Sequence, residues 1–488
     1  MRVRGVSDDV PSAVRFLPIV LANLVPLVGV LAYGWKPSTL VVIYALEVIL
    51  AFPLAAVKAL FAGQPPQVEE LETDEDEGDS SVIDVGNTDL ARKHGSVRVV
   101  SWLPPVYPRN LPFVGAVFFV TVWVVLFVVG ALSEVVVGDA LAQPVVWLSV
   151  AGLLLGQGLE TWHEYLRGGR YETTSPYAVI ETPARQGFFL MFVLLVVAEA
   201  GGMAVLAAFV AVKLLVDWSA FRATHGGGGR LTGWLAGPEN EGERDAPEQP
   251  RIPDADPDAR FETHTRTVVL TGVFRTLVKS APFYAGMVVL AWLVTFAVLG
   301  ESSGSGVLLS VGISLAAFVA LVAFLAIKIA ERVLEYAALE YRRYDDRLVA
   351  YDAWVEEPQW SVPCNATRDV TVVADRLPDR VFGTRTFEAK LGWGDEETMR
   401  ELGPVEDAPA FVEAFELLVP APELDLPAVD RRIAAIAIAP IAGVPVAVAA
   451  FVVGLLPVIS VIQFVVFGLP AVAFVLYGIW QQAYPDTG

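Results

Sequence analysis

Apolar runs close to 20 residues long recur along this chain. A bilayer's hydrocarbon core demands helices of that length, because each backbone N–H and C=O must be satisfied within its own segment there. The first pair, 16–33 and 39–61, is joined by the turn Gly34-Trp35-Lys36-Pro37. After a polar stretch come 111–132 and 145–159, then a long run at 187–218. A further pair at 281–299 and 306–330 precedes a soluble insert, and about 433–453 and 456–480 complete the series. Over 488 residues, 55% are apolar and only 18% charged, which excludes a purely soluble enzyme. The net charge of −21 excludes nucleic acid as a natural partner, and a single cysteine, Cys364, excludes a disulfide-built chain.

The run 187–218 would make one helix of about 48 Å, well beyond the hydrocarbon core. Charge decides between one span and two. Lysine and arginine gather before 16 and in 62–110, 160–186, 219–280 and 331–432, while the alternate connections hold little beyond Lys36. Two spans, split near Glu199-Ala200-Gly201-Gly202, keep every basic segment on one side, as the positive-inside rule requires. Ten spans follow, with both termini and the large loops cytoplasmic in a multi-pass protein of the cell membrane. Trp35, Trp102, Trp147, Trp162, Trp218 and Trp480 lie near the proposed span ends, where amphipathic rings prefer to sit. The start, 16–33, reads as a signal anchor with no convincing cleavage site.

Composition divides the chain into a six-span domain at 1–225 and a flexible acidic linker at 226–264. A two-span hairpin at 265–335, a β domain at 336–419 and a last two-span hairpin at 420–488 follow. The acidic run at 69–79 reads as a solvated loop, or as a cation-binding or partner-docking tail. Sparse lysine with abundant acid resembles halophilic proteins, for which molar salt shrinks the Debye length to about 3 Å.

Two resemblances follow from quoted residues. The opening Leu17-Pro18-Ile19-Val20-Leu21-Ala22-Asn23-Leu24-Val25-Pro26, then Tyr33-Gly34-Trp35 and Ile43-Tyr44-Ala45-Leu46-Glu47, resembles a family of multi-pass membrane proteins of unknown function from halophilic archaea and some bacteria. That family carries Asn-x-x-Pro in its first helix and Tyr-x-x-Glu in its second. Its closing helix resembles Val212-Lys213-Leu214-Leu215-Val216-Asp217, so the likeness covers about 15–225. It implies no activity.

Downstream, Tyr341–Tyr351, Trp360–Pro363, Arg368–Val373, Phe382–Ala389 and Met399–Leu402 read as short alternating strands with frequent turn signals. Asp407 is placed to cap a final helix bearing a stripe of Phe411, Val412, Phe415 and Leu418. This order resembles a bacterial pleckstrin-homology-like domain over about 336–419. The resemblance implies a bent β barrel plugged by a terminal helix, with a membrane-associated or scaffold role. No loop carries a cluster of Lys and Arg, so a headgroup-reading pocket is not legible here.

Glu47 falls near the middle of its span, where an unpaired carboxylate costs about 2.5–3.5 kcal/mol. Asn23 from the neighbouring span and Tyr44, one turn away, make with it a candidate intramembrane polar site. It is either a proton or cation site or interhelical hydrogen-bonding glue. Glu199 reads as a solvated turn carboxylate, and Lys58, Lys213 and Lys328 as snorkelling interfacial residues. Glu160, His163 and Glu164 share a helix face but have no matching set elsewhere, and Gly152 and Gly156 form a GxxxG pattern for close helix packing. No nucleotide loop, nucleophile elbow or zinc motif occurs.

The sequence therefore predicts an all-α polytopic membrane protein of about ten transmembrane helices with a small cytoplasmic pleckstrin-homology-like β-barrel domain. Catalytic residues, metal and cofactor are expected to be none. Its partners are the lipid bilayer and, through 336–419, a protein or a second copy of the chain. The alternative is a secondary transporter or ion-coupled carrier using Asn23 and Glu47.

Overall fold

The computed structural model describes residues 34–66, 88–131, 140–141, 143–197, 202–224, 249–276, 306–425 and 431–438, less 254, 375, 395 and 396, with isolated positions near residues 30 and 475. The spans expected at 16–33, 281–299, 433–453 and 456–480 lie largely or wholly outside the described residues. Among the described residues four helical segments are long and apolar enough to cross a bilayer: Pro37–Leu60, Pro108–Val125, Pro144–Leu166 and Pro176–Val196. That is fewer than the ten expected. One helix that falls short is informative, because its apolar part, Met203–Leu215, ends in charged and polar residues.

The described residues divide into two compact units. The helices of the chain's first half are α1 (Pro37–Leu60), α2 (Leu111–Ala131), α3 (Pro144–Glu160), α4 (Pro176–Val197) and α5 (Gly202–Thr224). α1, α3 and α4 each begin on a proline, whose preset φ and missing N–H suit a first helical turn. In the first unit α1 packs against α3, α4 and α5, and α4 packs against α5. The run 187–218 is therefore two mutually packed helices, as its charge pattern predicts. Val41, Val48, Phe52, Ala55 and Ala59 mark the buried face of α1. Phe52 comes so close to α4 that a Cβ on Gly187 would sit 2.9 Å from its ring, and only glycine permits that approach. α3 turns Trp147, Leu148, Leu155 and Leu159 outward. In water such a surface would be a liability; facing lipid it needs no partner. Past α3 a π-helical turn, Thr161–Leu166, brings Tyr165 inward, and its hydroxyl donates to the Lys58 carbonyl at 3.0 Å.

The second unit is built on seven strands: β1 (Ala259–Glu262), β2 (Leu339–Tyr344), β3 (Arg347–Asp352), β4 (Glu357–Pro363), β5 (Thr367–Val372), β6 (Arg385–Leu391) and β7 (Thr398–Val405). β1 to β4 form one antiparallel sheet in sequence order, and β5 to β7 form another. These are two sheets, which corrects the expected closed barrel: among the described residues no ladder joins one sheet to the other. β1 comes from the stretch expected to be linker, and it pairs Phe261 opposite Tyr341. Between β1 and β2 lie α6 (Thr265–Arg275) and α7 (Gly306–Tyr336). The expected strand Tyr341–Tyr351 is a hairpin, folded at Asp345, where φ is 52°.

A short helix α8 (Leu377–Phe382) precedes β6, and α9 (Ala408–Ala414) follows β7. Asp407 caps α9 as predicted, accepting from the Ala410 N–H at 3.1 Å. The Phe411 ring lies 5.4 Å from Phe261 and from Tyr341, 5.6 Å from Phe387 and 4.9 Å from Phe415. Phe411 thus bridges both sheets, since Phe261 and Tyr341 belong to one and Phe387 to the other. The fully buried Tyr341 hydroxyl accepts from the Gly403 N–H at 3.0 Å. Leu418, expected on the buried stripe, is exposed, and Leu417 is buried in its place: α9 stops at Ala414, so helical spacing no longer governs the residues beyond it. A last described helix, α10 (Arg431–Ile438), lies beyond the sheets.

Residues 88–110 belong to this second unit. Lys93, almost wholly buried, forms an ion pair with the fully buried Asp352 and donates to the Leu334 carbonyl. The other Asp352 oxygen accepts from the Trp354 and Val355 N–H groups at 2.8 and 3.1 Å, fixing the β3–β4 turn. The His94 N–H donates to Gln359 Oε1 at 2.9 Å, and Arg400 pairs with Asp89 at 3.3 Å.

Candidate functional site

Glu47 stands ten residues from the start of α1 and thirteen from its end, about 15 and 20 Å along the axis. Its carboxylate is not alone there. Lys213, midway along α5, donates from Nζ to Oε1 at 3.0 Å and to Oε2 at 3.1 Å. The two side chains are only 18% and 21% exposed. Tyr44, one turn before Glu47, lays its ring 5.1 Å from the Lys213 ammonium and 5.0 Å from the Phe209 ring. The ammonium therefore has a carboxylate and an aromatic face, both favourable to a desolvated cation.

A cavity of about 20 Å³ adjoins the pair, lined by Glu47, Val48, Gln186, Phe189, Phe209, Val212 and Lys213. That is room for about one water molecule. Gln186 on α4 is the one uncharged polar side chain in this lining. The arrangement holds a paired positive and negative charge between α1 and α5, and it offers little space for a substrate.

Sequence reasoning picked out Glu47 and Tyr44, and the structure brings them together; Asn23 lies outside the described residues. Lys213 was missed. The expected span ended near Trp218, which put Lys213 at an interface. α5 continues to Thr224, which puts the lysine midway along the helix, and Nζ pairs across to Glu47 on α1 instead of snorkelling. The available signal was one lysine and one glutamate, each inside a separate apolar run. Lys328 also has a partner, Glu331 at 3.0 Å. Glu199 is outside the described residues. His163 and Glu164 fall in the π-helical turn and are exposed; among the described residues no three His, Cys, Asp or Glu side chains gather as a metal site. Gly152 and Gly156, expected to seat a neighbouring helix, meet no atom within 4 Å among the described residues. Cys364 is buried, and burial raises its thiol pKa, which keeps it protonated and unreactive.

Long apolar helices with an ion pair held among them define a helical, membrane-associated protein. Residues 8–230 match the model of a family described as a family of unknown function (DUF6498). The match includes α1 to α5 and also residues 88–110, which fold with the strands of the second unit. No curated protein and no solved structure matches the chain.

Proposed function

We propose that the chain is a non-enzymatic, multi-pass membrane protein that docks or assembles partners through its β unit. In this reading the nine apolar runs make ten spans, 187–218 supplying two, and the β unit is a pleckstrin-homology-like module on the cytoplasmic side. The sequence of seven strands and a capped terminal helix supports the likeness. The distribution of lysine and arginine supports the orientation.

The observation that carries the reading is the Glu47–Lys213 pair. An intramembrane carboxylate is by default a functional site, because its charge needs an answer. Here a lysine of the same unit answers it, beside a cavity of about one water. Glu47 then acts as glue between α1 and α5, and activity belongs to the β unit. That unit exposes Trp354, Trp393 and Met399, residue types enriched at protein interfaces.

Two measurements on the full chain test this. Photo-crosslinking from benzophenone side chains at Trp354, Trp393 and Met399 in native membranes should give discrete adducts, either with a second copy or with one partner. Proteoliposomes containing a pH-sensitive dye should show no flux that depends on Glu47. Glu47-dependent flux with no adduct at any of the three positions would replace the scaffold with a carrier.

A further inference from the structure

Three arginines from three distant segments converge on one carboxylate of the second unit. Arg275 ends α6, Arg332 lies one turn from the end of α7, and Arg376 immediately precedes α8. All three donate to Glu401 on β7: Arg275 Nη1 at 3.3 Å and Arg376 Nη2 to Oε1, and Arg332 Nη2 to Oε2. In sequence they stand 332 − 275 = 57 and 376 − 332 = 44 residues apart, so no basic cluster is visible along the chain.

Charge and donors are both in excess. Glu335 also acts on Arg332, which leaves three positive charges against two negative in a protein of net charge −21. Each guanidinium carries five N–H donors, while one carboxylate accepts about four hydrogen bonds. Arg332 Nε is buried without an acceptor among the described residues. The Arg332 guanidinium carbon lies 3.8 Å from the centre of the Tyr336 ring, and the Arg332 stem packs against α6 at Gly272. The cluster is also reachable. Arg332 and Arg376 are 11% and 13% exposed, but Arg275 is 49% exposed and carries the cluster to the surface.

We propose that Arg275, Arg332 and Arg376 form a phosphate-binding site, with Glu401 as the internal anion that pre-positions their guanidinium groups. Planar guanidinium forks match a phosphate's oxygens bidentately, and a preset orientation lowers the entropy lost on binding. Burial alone raises the Glu401 pKa, but Arg332 and Arg376 outweigh it and hold the carboxyl at about 2, so the internal anion is permanent near neutrality. Phosphate could arrive free in solution or as an anionic lipid headgroup. The lipid source rests on α7 being a membrane helix, as in the reading above. Its apolar run ends at Ala330, so Arg332 stands about 3 Å further along the axis, at headgroup depth.

The test uses the full-length protein in detergent, titrated calorimetrically with inorganic phosphate at low ionic strength. Saturable binding is expected, weakened about tenfold in Arg275→Gln. Because Arg275 is half-exposed, that substitution leaves the fold intact, which a melting curve checks. Glu401→Gln keeps an oxygen that accepts from and orients the arginines but removes the negative charge that opposes an incoming anion. It should therefore bind phosphate more tightly, a gain that a purely structural ion pair would not give. A second arm compares nanodiscs of phosphatidylcholine with nanodiscs containing phosphatidylglycerol, and counts retained lipids by native mass spectrometry. Loss of retained phosphatidylglycerol in Arg275→Gln identifies the lipid as the source; unchanged retention with weakened phosphate binding identifies the soluble anion. The site is overturned if neither arm shows binding, or if Arg275→Gln binds phosphate as the wild type does. Crosslinking and flux do not enter this result, so the scaffold reading can fail separately.

Discussion

A single pair of side chains decides how the first unit is interpreted. Glu47 without Lys213 would be a charge stranded among apolar helices; with it, both ions are answered inside the protein. Breaking such a pair from one side leaves an uncompensated charge, at a typical cost of about 3–5 kcal/mol, whereas replacing both partners by apolar groups is often neutral. Glu47→Gln and Lys213→Met should therefore each lower the melting temperature of the detergent-solubilised protein sharply, and Glu47→Leu combined with Lys213→Met should recover most of the loss. Additive losses in the double variant would mean that the two side chains are not coupled. The glutamate was legible in the sequence because one acid interrupts an apolar run at its centre. The lysine was not, since its partner lies 166 residues away and pairing at that separation leaves no local pattern.

At the scale of elements, the second unit depends on a helix of seven residues. α9 is too short to be stable alone, so its helicity comes from the Asp407 cap and from burying Phe411 and Phe415. Truncating a buried phenylalanine costs about 3–5 kcal/mol, because the cavity left behind collapses only partly. Phe411 touches Phe261, Tyr341 and Phe387, so Phe411→Ala should lower hydrogen-exchange protection in β1, β2 and β6 together while leaving α1 unchanged. Loss confined to α9 would show that the helix is decoration rather than core. The strands β4 to β7 could be read from alternation, and the cap from one aspartate before an apolar helix. β2 and β3 ran together as one strand over Tyr341–Tyr351, because the turn between them carries no glycine or proline. β1 could not: four residues carry too short a pattern, and Ala259–Glu262 sits among prolines and acids that read as linker. Its identity as a strand depends on β2, nearly 80 residues later, as its pairing partner.

For the whole molecule, connectivity constrains topology. The second unit draws on residues 88–110, on β1 and on strands β2 to β7, so all three segments occupy one side of any bilayer the chain crosses. An even number of crossings must then separate residue 110 from residue 259. In the membrane reading proposed above, α2, α3 and α4 would supply three, each having a segment apolar and long enough to span. The same reading makes α5 the fourth, the helix with the shorter apolar stretch and a lysine midway along it. In that reading Glu47 neutralises Lys213 within the bilayer, so the ion pair at the residue scale would be what permits the topology at this one. The same count applies between β1 and β2, where the apolar runs 281–299 and 306–330 would make two crossings. A cysteine-accessibility experiment checks the parity directly. In a Cys364→Ala background, Val99→Cys and Trp354→Cys, both at exposed positions, should react with a membrane-impermeant maleimide under identical conditions, namely only after the cells are permeabilised. The proposed orientation, with these basic segments inside by the positive-inside rule, gives that expectation. Labelling of the two positions from opposite faces would require an odd number of crossings, and the ion-paired α5 span would have to be abandoned.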